Sequence, residues 1–314
     1  MLKNKLEAHN VTLPMIEWQK LGCLFQASGQ YPWMQSHTAV PIPLQIGESR
    51  FRIFFGTRNQ YQSAQVGYVD IDIENPRSPL GISKQPVLTA GPPGYFDDNG
   101  VYPGSIIQGN DQLLYMYYSG RSNGTAPLYY MAIGLAVSED AGKSFHKVRK
   151  SPILGRSEIN PWMVSTPCVL RNGTLWQMWY LSGLGWEGEK SFYHIKYAES
   201  SDGIIWEPHD NVCIPLDADT TNVASPSVIW DNNRYRMWYS YIKRGQGYRI
   251  GYAESEDAVN WSRMDSQAGI SLSPTGWDST SMAYPSVFSY SGNKYMVYSG
   301  NGFGQGGVGL AIAK

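Results

Sequence analysis

The chain has 314 residues, a formal net charge of −1, 16% charged residues and 13% aromatic residues, with 11 Trp and 22 Tyr. No Lys/Arg run offers the basic stripe that grips nucleic-acid phosphates. No segment approaches the roughly 18 apolar residues of a membrane span, and the opening MLKNKLEAHNVTLPM lacks the apolar stretch of a signal peptide. A cytoplasmic protein without nucleic-acid or membrane partners is expected.

In chain order, the first element is IEWQKLGCLF, an aromatic followed by polar and apolar alternation. After it, three phrases recur in fixed order. The first opens on a proline, at Pro41, Pro103, Pro167, Pro226 and Pro285, in steps of 62, 64, 59 and 59 residues. The second is aromatic and reads FRIFFGT, LYMYYSG, QMWYLSG, YRMWYSY and YMVYSG, its landmarks Ile53, Met116, Met178, Met237 and Met296 stepping by 63, 62, 59 and 59. The third reads VGYVDID, IGLAVSED, IKYAESSD, IGYAESED and VGLAIAK. Such register over five copies is an internal repeat.

Each phrase is short, β-branched or aromatic, and bounded by turn residues such as Asp-Asn-Asn and Ser-Gly-Asn, so each is a strand. A fourth strand follows in SFHKVRKSPIL, IIWEPHDNVCI and VNWSRMDSQAGI. Four-stranded meanders cannot bury both faces alone. Five of them predict an all-β fold, a five-bladed β-propeller of four-stranded antiparallel blades. It forms one domain over 1–314, with blades near 33–90, 95–155, 158–216, 219–272 and 277–314. The fifth unit ends after its third strand, so residues 16–25 are expected to close the ring, with Trp18 standing where Phe145, Trp206 and Trp261 stand. Such a strand removes two free sheet edges.

Cys23, Cys168 and Cys213 are an odd number without metal spacing, and the five His show no ligand pairing. Neither metal nor cofactor is expected. In a propeller the functional end is where the innermost strands begin. The stretches before each proline and after each aromatic phrase line that mouth, and they carry His37, Arg58, Asp97, Asp98, Arg121, Glu158, Arg249 and Asp278 among aromatics. Surplus Trp and Tyr there suit sugar rings, whose C–H faces stack on aromatic faces. Trp33, Trp162, Trp186 and Trp277 are candidate stacking residues, and Tyr284 directly precedes the fifth proline.

The Pro-Ser-Val openings and the Ser-x-Asp-x-x-x-Trp endings in SSDGIIW and SEDAVNW resemble the five-bladed propeller glycosidases, a group with arabinanases, β-xylosidases, invertases and mannoside phosphorylases. Closer likeness is to glycosidase-like propellers encoded among bacterial surface-polysaccharide genes, through WMQSHTAVP, FDDNGV, GYRIGYAES, GWDSTSMAYP and NGFG. The resemblance spans nearly the whole chain and implies a carbohydrate ligand.

Glycoside hydrolysis needs two carboxyl groups across the scissile bond. The resemblance places a base before the blade-one proline, an orienting Asp in blade two and an acid Glu in blade three. Here Val40 precedes Pro41, and His37 is the nearest polar side chain. Asp98 and Glu158 are the expected catalytic pair, with His37 at the base position. Trp33, Arg58, Asp97, Arg121, Trp162, Trp186, Arg249, Asp278 and Tyr284 are expected to bind substrate. Because the blade-one carboxylate is missing and Arg and His stand at the mouth, two alternatives stand beside a hydrolase: a phosphorylase or transferase using a basic mouth, and a non-catalytic propeller that binds sugar or assembles a complex. Asp140, Asp202 and Asp257, in the Ser-x-Asp turns, are read as structural.

Overall fold

The computed structural model describes residues 16–109 and 112–314. The opening MLKNKLEAHNVTLPM, on which the expectation of no signal peptide rests, lies outside the described residues. Twenty strands follow one another. They are β1 Trp18–Phe25, β2 Ser36–Gln45, β3 Arg50–Arg58, β4 Ala64–Asp72, β5 Gly81–Ile82, β6 Gly100–Gln108, β7 Leu114–Asn123, β8 Tyr129–Ser138, β9 His146–Lys147 and β10 Val164–Asn172. Then come β11 Leu175–Glu187, β12 Lys190–Ser200, β13 Glu207–Ile214, β14 Thr220–Asp231, β15 Arg234–Lys243, β16 Arg249–Ser255, β17 Ser262–Arg263, β18 Ala283–Tyr290, β19 Asn293–Ser299 and β20 Val308–Ala313. No described helix is long and apolar enough to cross a membrane.

Pairing groups the strands into three sheets: one of two antiparallel meanders, β2–β5 (unit one) and β6–β9 (unit two), one of β10–β13 (unit three) and β14–β17 (unit four), and a four-stranded sheet in which β18–β20 (unit five) pair with β1. Units one and two are joined by the parallel bridge Ala64↔Gly100, and units three and four by Tyr193↔Asn222. The first strands neighbour one another in a closed cycle, β2 to β6 to β10 to β14 to β18 and back to β2. Side-chain hydrogen bonds join three of its five steps just past the prolines. Ser105 Oγ accepts from Val169 N (3.2 Å), Cys168 Sγ from Val228 N (3.3 Å) and Ser227 Oγ from Val287 N (2.8 Å). A side chain one or two residues past the proline thus offers an acceptor to a backbone amide of the next first strand.

The outer strands are shorter than the sequence suggests. β9 pairs with β8 over only two residues, and contact resumes at the separate bridge Ile133↔Leu154. Pro152 interrupts this outer edge, where a missing N–H removes a ladder donor.

β1 pairs antiparallel with β20 from Trp18↔Ala313 to Phe25↔Val308. Its Trp18 packs edge-on against Trp238 at 5.5 Å, while Lys20 Nζ lies 2.6 Å from Asp278. The last sheet is therefore built from both ends of the described chain.

Candidate functional site

The aromatic phrases explain where most acids go. The second strands of units two to five place Tyr118, Tyr180, Tyr239 and Tyr298 at one repeat position, and Phe55 occupies it in unit one. All five are buried. Buried hydroxyls need partners. Tyr118 donates to Asp97 (2.9 Å), Tyr298 to Asp278 (3.0 Å), Tyr239 to Asp265, and Tyr180 meets Asn160.

These acids are in turn paired with cations from the outer strands. Lys147 lies 2.6 Å from Asp97, Lys20 2.6 Å from Asp278 and Arg263 2.7 Å from Asp265. Each cation stands two residues after the outer-strand aromatic Phe145, Trp18 or Trp261. The aromatic just before the acid, Phe96 or Trp277, stacks on the same tyrosine, at 6.0 and 5.1 Å. It lies on the glycine two residues after that tyrosine, Gly120 or Gly300, where any Cβ would collide with it. Asp97 and Asp278, expected to bind substrate, are thus completely buried inside the units.

The mouth is built from three other repeat positions. Residues directly before the five prolines, Val40, Tyr102, Thr166, Ser225 and Tyr284, all line one cavity of about 240 Å³. Every first strand carries a register shift at this level. Val40, Thr166, Ser225 and Tyr284 adopt left-handed φ values of 55°, 44°, 52° and 57°. Such a conformation is costly for β-branched residues, and it persists only where surrounding bonds enforce it. Ser119 Oγ accepts from Thr166 N (2.8 Å), and Ser240 Oγ from Tyr284 N (2.7 Å). The Ser of the Tyr-Ser phrase therefore holds the strained residue of the next unit.

The second position, two residues before the third phrase, contributes Met131, Tyr193 and Tyr248. Hydroxyls of Tyr193 and Tyr248 touch, and burial pushes both phenols, and that of Tyr284, well above the ordinary tyrosine range. They are hydrogen-bonding phenols, not phenolates, near neutral pH. The third position, five residues past the phrase landmark, contributes Arg58 and Arg121. Tyr129 carries the Arg121 guanidinium over its ring at 4.9 Å, and half-exposed Phe303 forms part of the wall. Among the described residues, no Asp or Glu lines the cavity.

Of the residues expected from sequence, Arg58, Arg121 and Tyr284 meet in this cavity, and the others lie outside its lining. Asp98 accepts from Gly94 N at 2.8 Å in a turn, and Glu158 is exposed. His37 is buried behind the wall, with Ser36 Oγ 2.8 Å from Nδ1. Burial, followed by the nearby Arg58 charge, lowers its pKa to about 4, so the imidazole is neutral near pH 7. Arg249 donates to the carbonyls of Gly247, Tyr248 and Thr280. Trp33 donates to Lys84 O at 3.2 Å and lies over Gly67. Trp162 covers Gly183 and Gly185, with 41% of its surface exposed. Trp186 packs edge-on against Tyr129 at 4.7 Å, one ring away from the cavity.

Tyr102, Tyr129, Tyr193, Tyr248 and Phe303 line the cavity without a charge to mark them in the sequence. Repeat register held the signal, because Tyr102 and Tyr284 are equivalent, as are Tyr193 and Tyr248.

No family model matches the chain. Two Mycobacterium tuberculosis proteins, "Uncharacterized protein MT1551" of strain CDC 1551 / Oshkosh and "Uncharacterized protein Rv1502" of strain ATCC 25618 / H37Rv, are each 39% identical over 298 residues, covering 94% of this chain and 98% of theirs. Among solved structures, one described as a glycoside hydrolase superposes with a TM-score of 0.72 at 19% identity, covering 95% of this chain and 92% of that one. A thermostable family-43 glycoside hydrolase gives 0.64 at 17%, over 91% and 90%. An exo-1,5-alpha-L-arabinanase from a bovine ruminal metagenomic library gives 0.59 at 16%, over 92% and 95%. These likenesses establish the fold, that of the propeller glycosidases. The chain belongs to the same protein family as the two mycobacterial proteins.

Proposed function

We propose that the chain is a five-bladed propeller of the glycosidase type, closed by β1, that binds a carbohydrate in the mouth cavity without a hydrolytic carboxylate pair. The supporting observation is the composition of that cavity: phenols, hydroxyls, aromatic faces and two guanidiniums, with no carboxylate. Sugar recognition needs ring faces for stacking and donors and acceptors for hydroxyls. Tyr284, Tyr248 and Phe303 supply the faces, while Ser165, Thr166 and Ser225 supply hydroxyls. Hydrolysis by the two-carboxylate route needs acids about 5 to 10 Å apart across the bond. Asp98 and Glu158 do not supply them from a turn and an exposed loop.

The blade limits given above, and a place in handling surface polysaccharide, belong to this proposal. Saturation-transfer NMR against a glycan panel tests it. Tyr284→Ala and Phe303→Ala are expected to weaken binding about tenfold, close to 1.4 kcal/mol, whereas Trp230→Ala and Glu158→Gln leave it unchanged. Equal binding by all four variants would place the site elsewhere. Release of reducing sugar by the unaltered protein, lost in Glu158→Gln, would restore the hydrolase.

A further inference from the structure

Arg58 and Arg121 occupy the same repeat position in adjacent units, at the ends of β3 and β7. Register connects them step by step: Arg58↔Ala64, Ala64↔Gly100 and Gly100↔Arg121. At the usual strand spacing, these three steps separate the two backbones by about 14 Å, and both side chains enter one cavity. The close step at Gly100 admits only glycine. Its φ is +151°, and a Cβ would stand 2.8 Å from Ala64 N. The Asn-Gly of the FDDNGV phrase thus fixes the relation between the two arginines.

Their surroundings differ from those of four other strand arginines, which meet carboxylates, and from that of Arg249, which donates to three backbone carbonyls. Arg52 pairs with Asp70, Arg234 with Glu254, Arg236 with Asp231, and Arg263 with Asp217 and Asp265. Among the described residues, Arg58 and Arg121 have no such pair; the Nε of each is buried without a hydrogen-bond partner, as in Arg234 and Arg236, but there a carboxylate meets the rest of the guanidinium. Arg58 has one long contact, Nη1 to Gln62 Oε1 at 3.5 Å. A partly desolvated cation with unmet donors is costly unless an anion completes it, and guanidinium donors match a carboxylate or phosphoryl group in fork geometry.

We propose that Arg58 and Arg121 clamp an oxyanion carried by the bound sugar, so that the ligand is an acidic or phosphorylated carbohydrate. This rests on the mouth cavity being the sugar site. The sugar ring lies against Tyr248, Tyr284 and Phe303, and its anionic substituent lies between the guanidiniums. Free phosphate shares this chemistry, and the experiment separates the two sources.

Isothermal titration of the full chain at low and moderate salt uses four probes: mannose, glucuronate, mannose 6-phosphate and inorganic phosphate. The expected result is that glucuronate or mannose 6-phosphate binds at least tenfold more tightly than mannose and loses affinity with salt. Arg58→Gln/Arg121→Gln abolishes that preference while mannose binding persists. Arg58→Lys/Arg121→Lys, which keeps the charge and loses the fork, retains part of it and confirms that the fold survives. Equal affinity for mannose and the acidic sugars, or an undiminished preference in the Gln variant, overturns the clamp. Inorganic phosphate binding as tightly as mannose 6-phosphate overturns the sugar-borne source. Absence of binding by every sugar overturns the mouth reading along with the clamp.

Discussion

The inside of the units and the mouth of the ring treat charge in opposite ways. Within the units, Asp97, Asp265 and Asp278 each combine a tyrosine hydroxyl with a lysine or arginine, and the aromatic phrase depends on the combination. At the mouth, Arg58 and Arg121 face phenols and aromatic rings without an ion-pair partner among the described residues. Paired charges hold sheets together, whereas charges left unmet in a cavity are a cost that a ligand can relieve. Acid content alone therefore says little about catalysis in this chain, since its most buried acids belong to the scaffold.

The largest effect should come from removing residues 1–26. That truncation deletes β1, unpairs β20, and takes away Trp18, Leu24 and the Lys20 partner of Asp278. Two buried large side chains at about 2 kcal/mol each and a broken buried pair at about 3 kcal/mol approach the whole stability of a typical domain. Urea unfolding should show loss of the cooperative native transition. A truncated chain that unfolds like the full one would refute closure by β1.

Next in size, Asp97→Ala leaves Lys147 and Tyr118 without their shared acceptor and should destabilise by about 3 kcal/mol. Equilibrium denaturation of this variant beside Asp98→Ala sharpens the contrast. The neighbouring Asp98 holds one loop amide, at Gly94, and its removal should cost about 1 kcal/mol or less. Equal losses would mean that the buried network is not what binds the aromatic phrase to its acid.

A smaller effect is expected in acid. Asp140, Asp202 and Asp257 cap the Ser-x-Asp turns, where hydrogen bonds from the turn outweigh burial and lower their pKa values, to about 2 for Asp140 and Asp257. A depressed carboxylate contributes stability that is complete above the unfolded pKa near 4 and is lost as pH falls through the folded value. Stability should therefore decline between about pH 4 and pH 2. The neutral His37 has the same sign in a higher window: its contribution is complete above about pH 6.5 and lost as pH falls through 4. In His37→Gln the stability profile between pH 6.5 and 4 should flatten, and an unchanged profile would remove His37 from the account.

Much of the scaffold was legible because repeats expose themselves in sequence. The proline steps located the first strands, the aromatic phrases located the second, and Trp18 matched the outer-strand aromatics by pattern alone. The site was harder to read. Asp97 and Asp278 resemble active-site acids in sequence, and only the register of Tyr118 and Tyr298 reveals them as buried partners. Trp33 and Trp162 precede first strands as mouth residues would, yet they lie over glycines, a packing relation between segments distant in sequence. Arg58 and Arg121 were legible as mouth residues. Their lack of partners was not, because absence of an acid depends on the folded neighbourhood.

The contrast between the two regions is tested most directly by urea denaturation of Arg58→Met/Arg121→Met beside Asp97→Ala. If the mouth arginines are held for a ligand, the double variant keeps the stability of the unaltered protein within about 0.5 kcal/mol or exceeds it, while Asp97→Ala loses about 3 kcal/mol. A loss in the double variant as large as that in Asp97→Ala would contradict the account and return the two arginines to the scaffold.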